Sequence, residues 1–202
     1  MPWNYVVHLG DLPLTLAAAA AMSVWMMTSR LWRLAVCWTL LFLTAIMLVT
    51  ASKIAFLLWD VGSQAINFSA LSGHATGATA VLVVFLHLVM QRFDGRFGNA
   101  GIVAGLLLGG LLCLALVVRH EHTIAEAAAG WLVGALAGVG AIRLAGQIYK
   151  PSSTCGTHCI VGAFLVFVCA VALLRQLPLG YLIWRCAAVI ASQITSLSTA
   201  KF

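Results

Sequence analysis

The chain has 202 residues, 63% of them hydrophobic and 8% charged, with a formal net charge of +6, whereas an ordinary soluble domain carries roughly 25% charged residues. This excludes a sizeable soluble domain and leaves room for a single bundle of about six spans of roughly 20 apolar residues each. The 11 lysines and arginines are scattered in ones and twos, which points to membrane orientation and away from a nucleic-acid partner.

The start, Met1-Pro2-Trp3-Asn4, lacks the cationic opening of a secretory signal peptide, so the first apolar segment is expected to be retained as a helix. Apolar runs between short polar punctuation then predict an all-α polytopic bundle, one domain over 1–202. Its helices are expected at residues 12–28, 34–51, 75–90, 101–118, 124–142 and 159–174. A last apolar segment, 179–194, is broken by Arg185 and preceded by Pro178, which leaves it as either a seventh span or an interfacial helix. Gly101, Gly105 and Gly109 recur every fourth residue, as do Gly130, Gly134 and Gly138. Such faces predict that helices four and five pack closely against each other or a neighbour.

Of the six cysteines, Cys37, Cys113, Cys169 and Cys186 lie in apolar runs and are expected as small core residues. Cys155-Gly-Thr-His158-Cys159 is the one cluster, and its spacing matches no common zinc pattern. Arg30 and Arg33, Arg92 and Arg96, and Arg143 and Lys150 fall in alternate loops, which the positive-inside rule assigns to the cytoplasm. The loops carrying Lys53, Ser72 to His74, and Arg119 to His122 then share the opposite face.

Ionisable groups are costly inside such sequence, about 2.5 to 3.5 kcal/mol each on insertion scales, and they generally face a cavity and work there. His122 and Glu126 are four apart at the start of the fifth helix and share a face. A carboxylate so placed can hold one ring nitrogen protonated and leave the other as nucleophile or base; a plain polar contact is the simpler role. Ser72, Gly73 and His74 stand at a helix start that favours an anion, where Gly73 permits close backbone approach. Ser72 is either a hydroxyl donor or an N-cap. Lys53 and Arg119 supply positive charge on that face, whether for phosphate or simply snorkelling to the interface. Between His120 and His122, the downstream Glu126 and Gly130-Trp131 favour His122 as the inward imidazole, and Glu121 is assigned to solvent.

These residues resemble the type 2 phosphatidic acid phosphatase (PAP2) family, whose signature is a lysine followed by arginine-proline, a serine-glycine-histidine, and an arginine before His-x-x-x-Asp. Ser72-Gly73-His74 matches the second part, and His122-Thr-Ile-Ala-Glu126 looks like the third with Glu for Asp. Lys53 matches the first lysine, but Asp60-Val61 replaces its arginine-proline. Leu116 stands where the third part's arginine would lie, with Arg119 as substitute. The resemblance covers roughly residues 34–138.

It implies a bacterial inner-membrane enzyme, its site facing the periplasm or exterior, acting on a phospholipid or polyprenyl phosphate without metal or other cofactor. His122 would attack phosphorus to form a phosphohistidine, oriented by Glu126. His74 would protonate the leaving oxygen and then activate water. Lys53, Ser72, Gly73 and Arg119 would hold the phosphoryl oxygens.

Two other classes fit parts of the pattern. A haem electron carrier would use His74 and His87, which are 13 apart, but lacks a matching pair on a second helix. A metal site or transporter would use His74, His120, His122 and Glu126.

Overall fold

The computed structural model describes residues 11–59, 62–63, 67–93, 95–146, 157–174, 185 and 189–190. These form six α-helices: α1 (Leu12–Thr28), α2 (Trp32–Trp59), α3 (Gly73–Phe93), α4 (Gly98–Val118), α5 (Ile124–Ala145) and α6 (Thr157–Leu174). A 3₁₀ turn, Gly95–Phe97, leads into α4. No strand occurs among the described residues beyond an isolated bridge between Ser63 and Phe68. The helices α2 to α5 are each long and apolar enough to cross a membrane, the make-up of an integral membrane protein. At 17 residues α1 is shorter, and α6 has 18.

Six helices stand where six apolar runs occur, with bounds that differ where polar residues find local partners. The second was expected to stop at residue 51, yet α2 runs on to Trp59. Ser52 Oγ bonds back to the Val49 carbonyl at 2.8 Å, which satisfies the hydroxyl without breaking the helix. Lys53 is therefore a residue of α2, not of the following loop. Likewise α3 begins at Gly73, so His74 lies in its first turn. Gly146 ends α5 at φ 58°, its amide reaching the Ile142 carbonyl, a left-handed cap that glycine adopts without strain.

The glycine faces pack on a neighbour, not on each other: α3 lies between them. A Cβ on Gly105 of α4 would stand 2.5 Å from Val83 Cα, and one on Gly130 of α5 would stand 2.6 Å from the Ser72 carbonyl. Gly134 is as tightly placed over the Thr76 carbonyl. In lipid no hydrophobic force drives helices together, so close approach and interhelical hydrogen bonds carry the association. Thr76 Oγ1 supplies one such bond, within 3.0 Å of the Gly130 carbonyl, and Trp131 Nε1 another, to the Leu106 carbonyl at 3.0 Å. A second packed zone joins α1, α2, α3 and α5 around Trp38, Met26 and Leu88, with Trp38 Nε1 donating to the Ala19 carbonyl at 3.3 Å.

Three cysteines are described as free thiols. Cys113 is buried as expected, but Cys37 is half-buried and Cys169 is exposed on α6, where an apolar run faces outward rather than into a core. Cys155, Lys150, Cys186 and Asp60-Val61 lie outside the described residues, as do the side chains of His158 and Cys159. Of 179–194, only Arg185, Val189 and Ile190 are described, all exposed.

Candidate functional site

The glycine contacts decide where the chemistry gathers. Because Gly130 and Gly134 seat α5 directly on the first turns of α3, the starts of both helices meet at one end of the bundle. The Ser72 amide donates to the Glu126 carbonyl at 3.3 Å across that junction. Two polar segments far apart in sequence are thereby fixed side by side.

At the start of α5, Thr123 and Glu126 form a capping box: Thr123 Oγ1 accepts from the Glu126 amide at 3.3 Å, and Glu126 Oε2 accepts from the Thr123 amide at 3.2 Å. This satisfies orphan donors of the first turn and puts a negative charge at the positive end of the helix dipole. The carboxylate does more than cap. Its Oε2 accepts from His122 Nδ1 at 3.1 Å, while Oε1 accepts from the Ser69 amide at 3.1 Å and from the Ser69 hydroxyl. Glu126 is buried, at 7% exposure, and four donors surround its two oxygens. Since a carboxylate only accepts, the Nδ1 of His122 carries a proton, and in the neutral ring the lone pair is then on Nε2.

His74 stands next to this pair, its ring centroid 6.0 Å from that of His122 and the planes 56° apart. Its Nε2 lies 3.2 Å from Asp11 Oδ1, at the start of α1. Three helix starts thus converge, those of α1, α3 and α5.

Lys53, in the extended last third of α2, lines a cavity of about 230 Å³ together with Phe56, Ser69, Leu71, His122 and Glu126. The loop before α3 is tied to α2 beside it, with the Leu71 amide donating to Ser52 Oγ at 3.1 Å. His74 is not among the lining residues and meets the site through His122.

Ser72 is fully buried, and its Oγ accepts from the Ala75 amide at 3.3 Å, the geometry of a cap. The ladder of α3 starts with the Thr76 amide on the Ser72 carbonyl, so the Gly73 and His74 amides stand outside it at the helix mouth. A Cβ at Gly73 would meet only Val49 Cγ1, at 3.4 Å.

Arg119 is not brought in. It ends α4 on the surface, its Nε donating to Glu121 Oε1 at 3.2 Å. The turn that follows places His120 at φ 57°, a left-handed conformation that sends the chain sharply back toward α5. His120 lines an adjoining cavity of about 330 Å³ with Glu121, His122 and Glu126. Leu116 is fully buried in an apolar cluster with Ala75, Leu112 and Ala127.

His87 lies toward the other end of α3, 5% exposed, with Nδ1 on the Gly98 carbonyl at 2.9 Å. Thirteen residues of helix, about 20 Å, separate it from His74. Among the described residues no three His, Cys, Asp or Glu side chains come together as metal ligands do. Two residues of the cluster, Ser69 and Asp11, carry no motif or periodic signal and were legible only from the folded geometry.

No protein-family model matches the chain, and no solved structure matches it. It is similar, at 35% identity over 138 residues, to an uncharacterized 22.5 kDa protein in a cps region of Klebsiella pneumoniae. The match takes in 67% of this chain and 65% of that relative's length.

Proposed function

We propose that the protein is a membrane lipid phosphatase of the PAP2 kind, hydrolysing a phosphate monoester or diphosphate lipid through a phosphohistidine. The observation that carries this is the relay from Ser69 through Glu126 to His122, with a second imidazole 6.0 Å away. A carboxylate that fixes Nδ1–H and exposes Nε2 is the arrangement nucleophilic catalysis needs.

The His122 Nε2 lone pair forms a bond to phosphorus as the bond from phosphorus to the lipid oxygen breaks, and the leaving oxygen takes a proton from protonated His74. Water then attacks the phosphohistidine, giving its proton to neutral His74, and inorganic phosphate leaves with His122 restored. Lys53 and the amides at the mouth of α3 stabilise the charge on the phosphoryl oxygens. Arg119, whose Nε donates to Glu121, adds positive charge near this end of the bundle.

In this account all six helices cross a bacterial inner membrane, an assignment that the Klebsiella relative fits. The His74–His122 end faces the periplasm or exterior, opposite Arg30, Arg33, Arg92, Arg96 and Arg143. A polar cluster at the rim of an apolar bundle suits a lipid whose chains stay in the bilayer while its phosphate enters sideways.

The test is phosphate release from phosphatidate, phosphatidylglycerol phosphate, undecaprenyl diphosphate and lipid A by the parent protein and by His122→Ala. At least one substrate is turned over by the parent, and His122→Ala loses nearly all of that activity. Full retention in His122→Ala removes the proposed nucleophile.

A further inference from the structure

Asp11 occupies the N-cap position of α1, with Pro13 in the first turn. Aspartate is favoured at that position because its carboxylate accepts an orphan amide of the first turn. Here the side chain makes no capping bond. The turn is closed instead by the Asp11 backbone carbonyl, which accepts from the Leu14 and Thr15 amides at 3.0 Å each. The Asp11 carboxylate reaches across to α3, 3.2 Å from His74 Nε2 and 63 positions away in sequence.

We propose that Asp11 is the positioning residue of the second imidazole, holding Nε2–H of His74 so that Nδ1 is the nitrogen that donates to the leaving oxygen and later takes the proton from water. A carboxylate can only accept, so this contact selects the Nε2–H tautomer of neutral His74 and steadies the imidazolium when it forms. Each histidine of the site then has its own carboxylate: Glu126 holds His122 by Nδ1, and Asp11 holds His74 by Nε2. Among the described residues, Asp11, His122 and Lys53 are the charged or titratable groups that act on His74. The start of α1 thereby becomes part of the site, although nothing in it resembles a phosphatase motif.

This inference rests on the phosphatase reading, and the experiment separates the two. Full-length protein in detergent, as parent, Asp11→Asn and Asp11→Glu, is given phosphatidate, whose alkoxide must be protonated to leave, and p-nitrophenyl phosphate, whose phenolate need not be. Asp11→Asn is expected to lower steady-state turnover of phosphatidate about 100-fold, within the range general acid catalysis supplies. On p-nitrophenyl phosphate it still releases about one equivalent of nitrophenolate in a fast burst, because only the water step is then slow. Asp11→Glu is expected to recover most of the loss.

Unchanged turnover of phosphatidate in Asp11→Asn overturns the proposal, as does an equal loss on both substrates without a burst. A parent protein that hydrolyses neither substrate, nor any lipid of the panel above, overturns the phosphatase reading instead. In that event ¹⁵N-histidine spectra still decide the contact itself: the Nε2–H tautomer of His74 in the parent, lost in Asp11→Asn, sustains it, and identical spectra refute it.

Discussion

Replacing Glu126 with glutamine keeps the shape of the side chain and removes one acceptor oxygen. Two donors approach each carboxylate oxygen, His122 Nδ1 and the Thr123 amide on one and the Ser69 amide and hydroxyl on the other. Whichever way a glutamine amide turns, its NH₂ group faces two donors. A buried donor left without an acceptor costs about 1–3 kcal/mol. His122 can escape by moving its proton to Nε2, but that tautomer blocks the nucleophile.

Turnover is therefore expected to fall about 100- to 1,000-fold, or about 3–4 kcal/mol at roughly 1.4 kcal/mol per decade. KM is expected to change little, since Lys53 and the α3 amides are untouched. The assay is kcat and KM for phosphate release, with thermal unfolding alongside to show that the variant is folded. A folded Glu126→Gln protein with kcat within about twofold of the parent would refute the orienting role.

The two cations are expected to separate: Lys53→Met lowers kcat/KM about 100-fold, the scale of a lost charge-assisted contact. Arg119→Met stays within about threefold, and equal effects in parallel assays would contradict the placement of Arg119. His120→Gly is expected to keep parental turnover while raising the unfolding temperature, because the left-handed φ at this position strains a non-glycine residue by about 1 kcal/mol or more; a large loss of activity would make His120 the working imidazole. Gly134→Leu drives a side chain into the Thr76 backbone and is expected to lower thermal stability in detergent by several degrees with loss of the site, since overpacking costs about 1–3 kcal/mol. Parental stability in that variant would refute the close approach of α5 to α3.

The helices were legible because apolar length alone announces them, and so was the pairing of His122 with Glu126, because residues four apart on a helix must share a face. Glycine spacing announced two tight faces but not their common partner α3, since periodicity on one helix says nothing about which other helix fills it. A polar Ser-Lys pair reads as punctuation and so puts Lys53 in a loop, whereas Ser52 bonds its own helix and lets α2 continue. Arg119 reads as a cation of that face and as the stand-in for the family's arginine; the structure shows its Nε on Glu121, with a left-handed turn at His120 between it and His122. Ser69 and Asp11 were silent because each is a single polar residue whose partner lies 57 or 63 positions away.

The most direct measurement is to quench the protein during turnover of a ³²P-labelled lipid phosphate and map the labelled peptide by mass spectrometry. The account predicts an acid-labile phosphoryl group on His122 at Nε2, absent from His122→Ala. Label on any other residue, or steady turnover with no labelled protein at the earliest quench times, would contradict it.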